Sequence, residues 1–282
     1  MAAHTFTASD GQQLGFHLLG SADPVLCVPG GPGRAATYLG DLGGLDAHRQ
    51  LVLADPRGSG ASRPAEPQTL TLQRLVDDLE DLRIHLALAA PVLLGHSFGC
   101  RVVAAHAEAE RPARALVLLT PPPMVEDELT AAGRRAVLDA RRDEPALAEA
   151  VSAASDIPSA RPQDRRMLEQ MTVPLWYGTW NDAARRHAAQ AADEVSARTA
   201  LTLRESARVA ALPRLERLAV PILLVAGQLD FLSPPIAMHA LHERLPCSTY
   251  AQIEGAGHYP WLDEPALLVE VIVDFLDGLG VA

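Results

Sequence analysis

The amino-acid sequence predicts a doubly wound α/β fold, in which a mostly parallel sheet is flanked by helices and interrupted by a helical insertion. Short apolar runs, each ended by Gly or Pro, alternate with segments of helical spacing over the first 123 residues. This strand signal disappears between about residues 124 and 218, a stretch rich in Ala, Arg and Glu, and then resumes. We therefore expect a core domain formed by residues 1–123 and 219–282, and a helical cap formed by residues 124–218.

Seven apolar runs are predicted as strands, because near-continuous hydrophobic stretches of this length suit strands buried on both faces of a parallel sheet. Five precede the insertion and two follow it: FHLLG at 16–20, VLCVPG at 25–30, LVLADP at 51–56, PVLLGH at 91–96, ALVLLTPPP at 115–123, VPILLVAG at 220–227 and CSTYAQIEG at 247–255.

Two helices are predicted from their spacing and their ends. The segment 71–88 places six apolar side chains on one face: Leu72, Leu75, Val76, Leu79, Leu82 and Leu86. The segment 263–279 is a second helix, for which Asp263 is the expected N-cap and Pro265 lies in the first turn.

Composition narrows the class of protein. The net charge of −11 argues against binding to nucleic acid or to an anionic membrane. No apolar run approaches the roughly 20 residues of a membrane span, and no signal peptide is evident, so a cytoplasmic protein is expected. All 24 basic residues are arginine and alanine is abundant, which favours a bacterial source with a GC-rich genome.

The three cysteines, Cys27, Cys100 and Cys247, are odd in number and widely spaced. This spacing fits neither a disulfide framework nor a zinc site, so we expect reduced thiols. No metal-binding or nucleotide-binding motif is present, and no cofactor is predicted.

The pentapeptide GHSFG at 95–99 is the most informative short motif. It follows a predicted strand and precedes a segment of helical spacing, the context of a nucleophile elbow, in which a tight turn lifts a serine hydroxyl clear of the sheet. Such a motif also occurs as an ordinary strand-to-helix turn. Because serine is a poor nucleophile alone, Ser97 needs a base, an acid and an oxyanion hole from elsewhere in the chain.

Three further loops follow predicted strands, at the edge of an α/β sheet where ligands bind. The loop 29–34, PGGPGR, exposes backbone amides that suit an oxyanion hole, although a plain β-turn has the same composition. The loops 227–235 and 255–265 present Asp230 and His258. Taken separately, Asp230 also fits the cap of a helix near Pro234, and His258 is one of ten histidines. Taken together, the order Ser–Asp–His along the chain predicts a catalytic triad.

These motifs together resemble the α/β-hydrolase superfamily and, within it, the proline iminopeptidase-like group. The resemblance covers roughly residues 1–123 and 219–282 and rests on five segments: GGPG at 30–33, DPRGSGASRP at 55–64, GHSFG at 95–99, GQLD at 227–230 and GAGH at 255–258. It implies an α/β-hydrolase fold with a cap over the site. It also implies that Ser97 is the nucleophile, Asp230 the acid and His258 the base.

By the same resemblance, the amides of Gly31 and Phe98 would form the oxyanion hole, and Gly30 would lie against the substrate. The chain departs from the family at Pro29, where His is usual, and at His96 and Phe98, which flank the serine as in many esterases and lipases.

The residue after the triad aspartate bears on specificity. Several monomeric iminopeptidases place a glutamate there to bind the substrate's free amine, whereas this chain has Phe231. A cap carboxylate such as Glu169 or Glu205 is an alternative amine site, although acidic residues on helices are usually solvated.

Aromatic residues are scarce, yet three of them fall in LWYGTW at 175–180 within the predicted cap. Core packing of the cap explains them adequately. The alternative is an aromatic wall for an apolar substrate, formed by Trp176, Tyr177 and Trp180 with Phe231 and Trp261. In DPRGSGASRP, by contrast, Asp55 and Arg57 are expected to stabilise their loop.

The sequence therefore predicts a serine hydrolase without cofactor, acting through an acyl-enzyme on an ester, thioester, lactone or amide of a small acyl or short peptide-like substrate. Three alternatives stay open: a prolyl aminopeptidase, an acyltransferase or cyclase with the same triad, and a non-catalytic binding protein on this fold. A dehalogenase or epoxide hydrolase is disfavoured, because that chemistry needs a carboxylate in place of Ser97. The oligomeric state cannot be derived from these patterns.

Overall fold

A computed structural model describes residues 2–123, 127–194 and 197–280. These residues form one eight-stranded sheet in the order β1-β2-β4-β3-β5-β6-β7-β8. The strands are β1 Ala3–Thr7, β2 Gln13–Leu19, β3 Pro24–Val28, β4 Gln50–Ala54, β5 Val92–His96, β6 Ala115–Leu119, β7 Ile222–Gly227 and β8 Ser248–Ile253. The pairs β1–β2 and β2–β4 are antiparallel, and all other pairs are parallel.

Ten α-helices lie within the described ranges, five of them between β6 and β7. They are α1 Leu72–His85, α2 Gly99–Glu108, α3 Glu128–Arg141, α4 Ala148–Asp156, α5 Pro162–Met171, α6 Asp182–Glu194, α7 Ala197–Val209, α8 Pro235–His242, α9 Pro260–Asp263 and α10 Pro265–Gly278.

The sheet separates two hydrophobic cores, as expected of a doubly wound fold. Neighbouring strand residues point to opposite faces, so that Leu93 packs with α1 and α2 on one side and Leu94 packs with α10 on the other. The central strands β5, β6 and β7 are buried along their whole length, which explains their uninterrupted apolar sequences. The predicted α/β-hydrolase architecture is therefore confirmed.

The predicted strands and helices agree with the structure except at the two ends of the chain. The seven apolar runs all contain strands, and the predicted apolar face of α1 is buried. Strand β1 was not expected, because Phe6 is the one buried side chain among its five residues. Such a hairpin strand carries little hydrophobic signal.

The prediction that Asp263 caps the last long helix is wrong. Helix α10 begins at Pro265, which lies in the first turn as expected, and Glu264 occupies the N-cap position. The carboxylate of Asp263 instead accepts hydrogen bonds from the backbone amides of Gly178, Thr179 and Gly257. The carboxylate of Asp263 therefore binds amides outside α10 and does not cap the N-terminus of that helix.

The three cysteines are free thiols, of which Cys27 and Cys100 are buried and Cys247 is exposed. Among the helices that the structure describes, none has the length and apolar character needed to cross a membrane.

Asp55 joins three segments of the chain beside the loop 29–34, here called the glycine-rich loop. Its buried carboxylate accepts hydrogen bonds from the amides of Ala36 and Ala61, at 2.7 and 2.8 Å, and contacts Nε2 of His17 at 3.0 Å. The next conspicuous charge, Arg57, is buried and pairs with Asp78 and Asp10. Both side chains therefore have the structural contacts that the sequence suggested for them.

We expect Asp55→Ala to lower the free energy of unfolding by about 3 to 5 kcal/mol, because it leaves one buried amide, one partly buried amide and a buried imidazole without their hydrogen-bond partner. Asp139→Ala is the matched control, since Asp139 lies in a largely exposed pair with Arg142 and should change stability by less than about 0.5 kcal/mol. Urea unfolding of both variants measures this. Equal stabilities would contradict the structural role of Asp55.

Candidate active site

Ser97 sits on a strained turn between β5 and α2. Its φ is +50°, in the left-handed region that residues with a Cβ seldom adopt, and its N–H donates to the carbonyl of Leu119 at 2.9 Å. Ser97 is partly exposed, whereas the residues on either side are buried. The turn thus presents the one hydroxyl group of this segment to the outside of the sheet.

Two glycines make that turn possible. A Cβ on Gly95 would lie 2.6 Å from the backbone nitrogen of Cys100, and one on Gly99 would lie 2.2 Å from the carbonyl oxygen of Val28. Both distances are far below van der Waals contact, so the crossing of strand and helix requires the absence of a side chain at each position. This is the elbow geometry that the pentapeptide predicts.

The glycine-rich loop lies directly against the elbow. A Cβ on Gly30 would be only 2.9 Å from the Cβ of Ser97, so the loop can approach the serine this closely only without a side chain there. Gly31 has a φ of +119°, which also favours glycine. Within the described residues, the N–H groups of Gly31 and Phe98 donate to no protein acceptor.

Asp230 and His258 are brought together by the ends of β7 and β8. Oδ2 of Asp230 lies 2.8 Å from Nδ1 of His258, and the two side chains are 0% and 3% exposed. The other carboxylate oxygen accepts hydrogen bonds from the amides of Leu232 and Ser233 at 2.8 and 2.9 Å. Asp230 therefore both shapes the turn before α8 and orients the histidine.

The backbone of His258 is held as firmly as its ring. Its N–H donates to the carbonyl of Trp176 at 2.7 Å, and its carbonyl accepts from Nε2 of His96 at 3.0 Å and from Oγ1 of Thr120 at 3.1 Å. Nε2 is the one polar atom of His258 that makes no hydrogen bond within the described part of the chain. The arrangement leaves this nitrogen available for proton transfer.

Thr120 is a residue that the sequence motifs do not reveal. It is fully buried at the end of β6 and has a φ of +43°, unusual for a β-branched residue. Its N–H donates to Val225, its carbonyl accepts from Ser233 Oγ, and its hydroxyl reaches His258. Its position directly after an apolar strand is the only sequence signal that points to it.

The segment 176–178, from the predicted cap, contacts the loop 255–265 that carries His258, here called the histidine loop. A Cβ on Gly257 would lie 2.6 Å from the carbonyl oxygen of Trp176, and a Cβ on Gly178 would lie 1.9 Å from that of Gly255. Asp263 binds amides on both sides of this contact, at Gly178 and Gly257. Burial raises the pKa of Asp263, while these amide hydrogen bonds oppose the rise.

Arg141 of α3 fixes the same segment from the other side. Its guanidinium is 1% exposed, donates to the carbonyls of Tyr177 and Gly178 at 2.6 and 2.9 Å, and pairs with Glu144. The segment 176–178 is held in place by these bonds, and its Trp176 carbonyl accepts the hydrogen bond from His258 N–H. The histidine loop is therefore anchored by this segment as well as by the sheet.

The predicted aromatic wall is only partly available to a substrate. Tyr177 and Trp261 are 1% and 4% exposed and pack among other rings of the core. Phe231 is 9% exposed and packs with Val137, Leu147, Ala150, Ala154 and Leu175, so it joins the loop of Asp230 to the helical segment. Trp176 and Trp180 are the two aromatic residues of this set that remain partly exposed.

The two acidic residues considered for an amine site face solvent. Glu169 on α5 has a side chain that is 56% exposed and pairs with Arg165, and Glu205 on α7 is also exposed. The charge nearer the site is of the opposite sign. Arg34, the last residue of the glycine-rich loop, is buried, and burial together with the Arg34 charge lowers the pKa of His187 to about 4.

Comparison with known proteins agrees with this architecture. A family model described as alpha/beta hydrolase fold matches residues 23–265. A proline iminopeptidase of Heyndrickxia coagulans is 36% identical over 88 residues, which span 31% of this chain and 31% of that relative.

Two solved structures cover almost the whole chain. An esterase from Thermogutta terrifontis shares 26% identity at a TM-score of 0.68 and covers 99% of each chain. A proline iminopeptidase from Mycobacterium smegmatis shares 20% identity at a TM-score of 0.75 and covers 99% of this chain and 98% of its own. The chain therefore belongs to the α/β-hydrolase family, and it is similar in sequence and in fold to proline iminopeptidases.

Proposed function

We propose that the protein is a serine hydrolase in which Ser97 is the nucleophile, His258 the general base and Asp230 the acid that orients it. The observation that carries this proposal is the anchoring of His258 through every polar atom except Nε2. Its ring lies 4.9 Å from that of His96, the residue before the partly exposed Ser97 on its strained elbow. A histidine with a purely structural role gains nothing from keeping its outer nitrogen free.

The proposed reaction has two halves. Nε2 of His258 takes the proton of Ser97 as Oγ attacks the acyl carbon, and then returns that proton to the leaving group. Water repeats the sequence on the acyl-enzyme and releases the acid. Asp230 holds Nδ1 as the N–H donor and stabilises the imidazolium while it exists.

The oxyanion hole is assigned to the amides of Gly31 and Phe98. Both N–H groups lack a protein acceptor within the described residues, and both belong to segments in contact at the elbow. Donors fixed before the reaction stabilise the tetrahedral oxyanion without reorganising at that moment, which is a large contribution in such enzymes.

Residues 124–218 are proposed to act as a cap over this site, on a core of residues 1–123 and 219–282. The hydrogen bond from the N–H of His258 to the carbonyl of Trp176 and the packing of Phe231 against α3 and α4 support this division into cap and core. Trp176 and Trp180 are then the aromatic surfaces that a small substrate meets, with Gly30 beside the reacting carbon.

The preferred substrate is proposed to be an uncharged acyl ester rather than an aminoacyl compound with a free amine. An ammonium group in an enclosed site needs a carboxylate, since an unpaired buried charge costs several kcal/mol. Glu169 and Glu205 face solvent and Phe231 is apolar. Burial and the neighbouring His258 lower the pKa of His96, next to Ser97, and the charge of Arg34 adds to this effect. The similarity in fold to an esterase supports ester hydrolysis as the reaction.

Replacement of Ser97 by Ala is expected to reduce turnover of a p-nitrophenyl ester by about 10⁴-fold or more and to abolish labelling by a fluorophosphonate. The reason is that no acyl-enzyme can form without the nucleophile. Ser233→Ala is the control, because that serine is buried and bonded to the Thr120 carbonyl, and its variant should still be labelled. Labelling that persists in Ser97→Ala would contradict the assignment.

The preference for an uncharged acyl group is tested by two substrates that share one leaving group, such as the p-nitrophenyl esters of cyclopentanecarboxylic acid and of proline. We expect a higher kcat/KM for the uncharged ester, because the two cap carboxylates considered as amine sites, Glu169 and Glu205, face solvent and Phe231 is apolar. A tenfold advantage for the prolyl ester, equal to about 1.4 kcal/mol of transition-state binding, would instead support a prolyl aminopeptidase.

A further inference from the structure

We propose that Tyr38 and His96 form a buried relay of hydrogen bonds that holds the glycine-rich loop and the histidine loop at a fixed separation, which makes both of them positioning residues. The inference rests on the proposed function for its catalytic consequence. The relay is defined as the chain of hydrogen bonds from Gly30 through Tyr38 and His96 to His258.

Three contacts make up the relay. The N–H of Gly30 lies 2.7 Å from the hydroxyl oxygen of Tyr38, and this oxygen lies 2.5 Å from Nδ1 of His96. On the other side of the imidazole, Nε2 of His96 lies 3.0 Å from the carbonyl oxygen of His258. Residues 30 and 258 are thereby joined through two side chains.

The chemistry of the two ends fixes the direction of every bond. A backbone N–H can only donate, so the Tyr38 oxygen accepts from Gly30 and uses its own proton to donate to Nδ1 of His96. A carbonyl can only accept, so His96 carries its proton on Nε2 and donates it to His258. Each atom of the relay then has one role, and no donor faces another donor.

Burial keeps both side chains neutral and therefore keeps this pattern intact. Tyr38 and His96 are 5% and 2% exposed. Burial raises the pKa of the Tyr38 hydroxyl, and burial together with the neighbouring His258 holds the pKa of His96 well below its usual value. The two imidazole rings have centroids 4.9 Å apart, so a charge that develops on His258 meets an uncharged neighbour.

The two loops that the relay joins carry the groups that must cooperate in the proposed reaction. Gly30 precedes Gly31, which offers one oxyanion donor, and His258 is the base. Their relative position matters most when the oxyanion and the imidazolium exist together, in the transition state. Removal of the Tyr38 hydroxyl leaves a buried N–H and a buried ring nitrogen without partners, so both loops can shift. A misplacement of this kind lowers kcat rather than ground-state affinity.

The kinetic test uses Tyr38→Phe, which keeps the ring and removes the hydroxyl. We expect kcat for the uncharged ester to fall roughly 10-fold to 100-fold, with KM changed by less than about threefold. Tyr250→Phe is the control, because among the described residues that hydroxyl hydrogen-bonds to Pro235 and Gln252 alone, away from the site, and kcat should stay within about twofold of the native value. A Tyr38→Phe enzyme with native kcat would overturn the proposal.

A double-mutant cycle separates the relay from two independent packing effects. If Tyr38 acts through His96, then Tyr38→Phe combined with His96→Leu should lose no more kcat than His96→Leu alone. Losses that multiply would show that the two residues act separately and would contradict the relay. If His96→Leu does not fold, His96→Phe replaces it, because its ring fills the volume of the imidazole but neither accepts from Tyr38 nor donates to the His258 carbonyl.

Nuclear magnetic resonance of the imidazole nitrogens tests the relay without any activity. In Ser97→Ala, the ¹⁵N signals of His96 should identify the Nε2–H tautomer, and the Nδ1 signal should move when Tyr38→Phe is added. The opposite tautomer, or an Nδ1 signal unaffected by Tyr38→Phe, would overturn the relay. Absence of Ser97-dependent turnover in the native protein, with these signals as expected, would instead overturn the proposed hydrolase function.

Discussion

The structure around the site depends on the buried hydrogen bond between Asp230 and His258, because the other polar atoms of both residues also need partners. A carboxylate and an imidazole removed from water are costly unless their remaining polar atoms are satisfied. The amides of Leu232 and Ser233 satisfy the second oxygen of Asp230, and the backbone of His258 is bonded on both sides. Parallel strands supply this arrangement because their carboxyl ends meet at one edge of the sheet.

Close backbone approach is the second requirement, and it explains where the glycines stand. Gly95 and Gly99 permit the turn at Ser97, Gly30 permits the loop to touch that turn, and Gly257 lets the helical segment reach the histidine loop. The helical insertion is thus in contact with the proposed site, since the carbonyl of Trp176 accepts a hydrogen bond from the N–H of His258. Arg141 and Asp263, both far from Ser97 in sequence, serve this attachment.

The sequence was sufficient to predict the α/β-hydrolase fold, and it supplied Ser97, Asp230 and His258 as candidates, because buried strands and strand-end loops leave local signatures in residue type and spacing. It was insufficient for Tyr38 and Thr120, whose importance depends on partners more than 50 residues away. Asp263 shows the same limit: its position before a helix predicts a cap, but the distant amides of Gly178 and Thr179 bind it, together with that of Gly257. Tyr177 and Trp261 were candidates for an aromatic wall, with core packing as the alternative for the cap aromatics, and the structure places both residues in the core.

The central claim is that Ser97, His258 and the amides of Gly31 and Phe98 converge on one reacting carbon. A crystal structure of the protein after reaction with a fluorophosphonate ester measures this convergence directly. The account predicts phosphorus bonded to Oγ of Ser97, a phosphonyl oxygen about 3 Å from both amide nitrogens, and Nε2 of His258 within hydrogen-bond distance of Oγ. A phosphonyl oxygen directed away from these amides, or a His258 ring facing elsewhere, would contradict it.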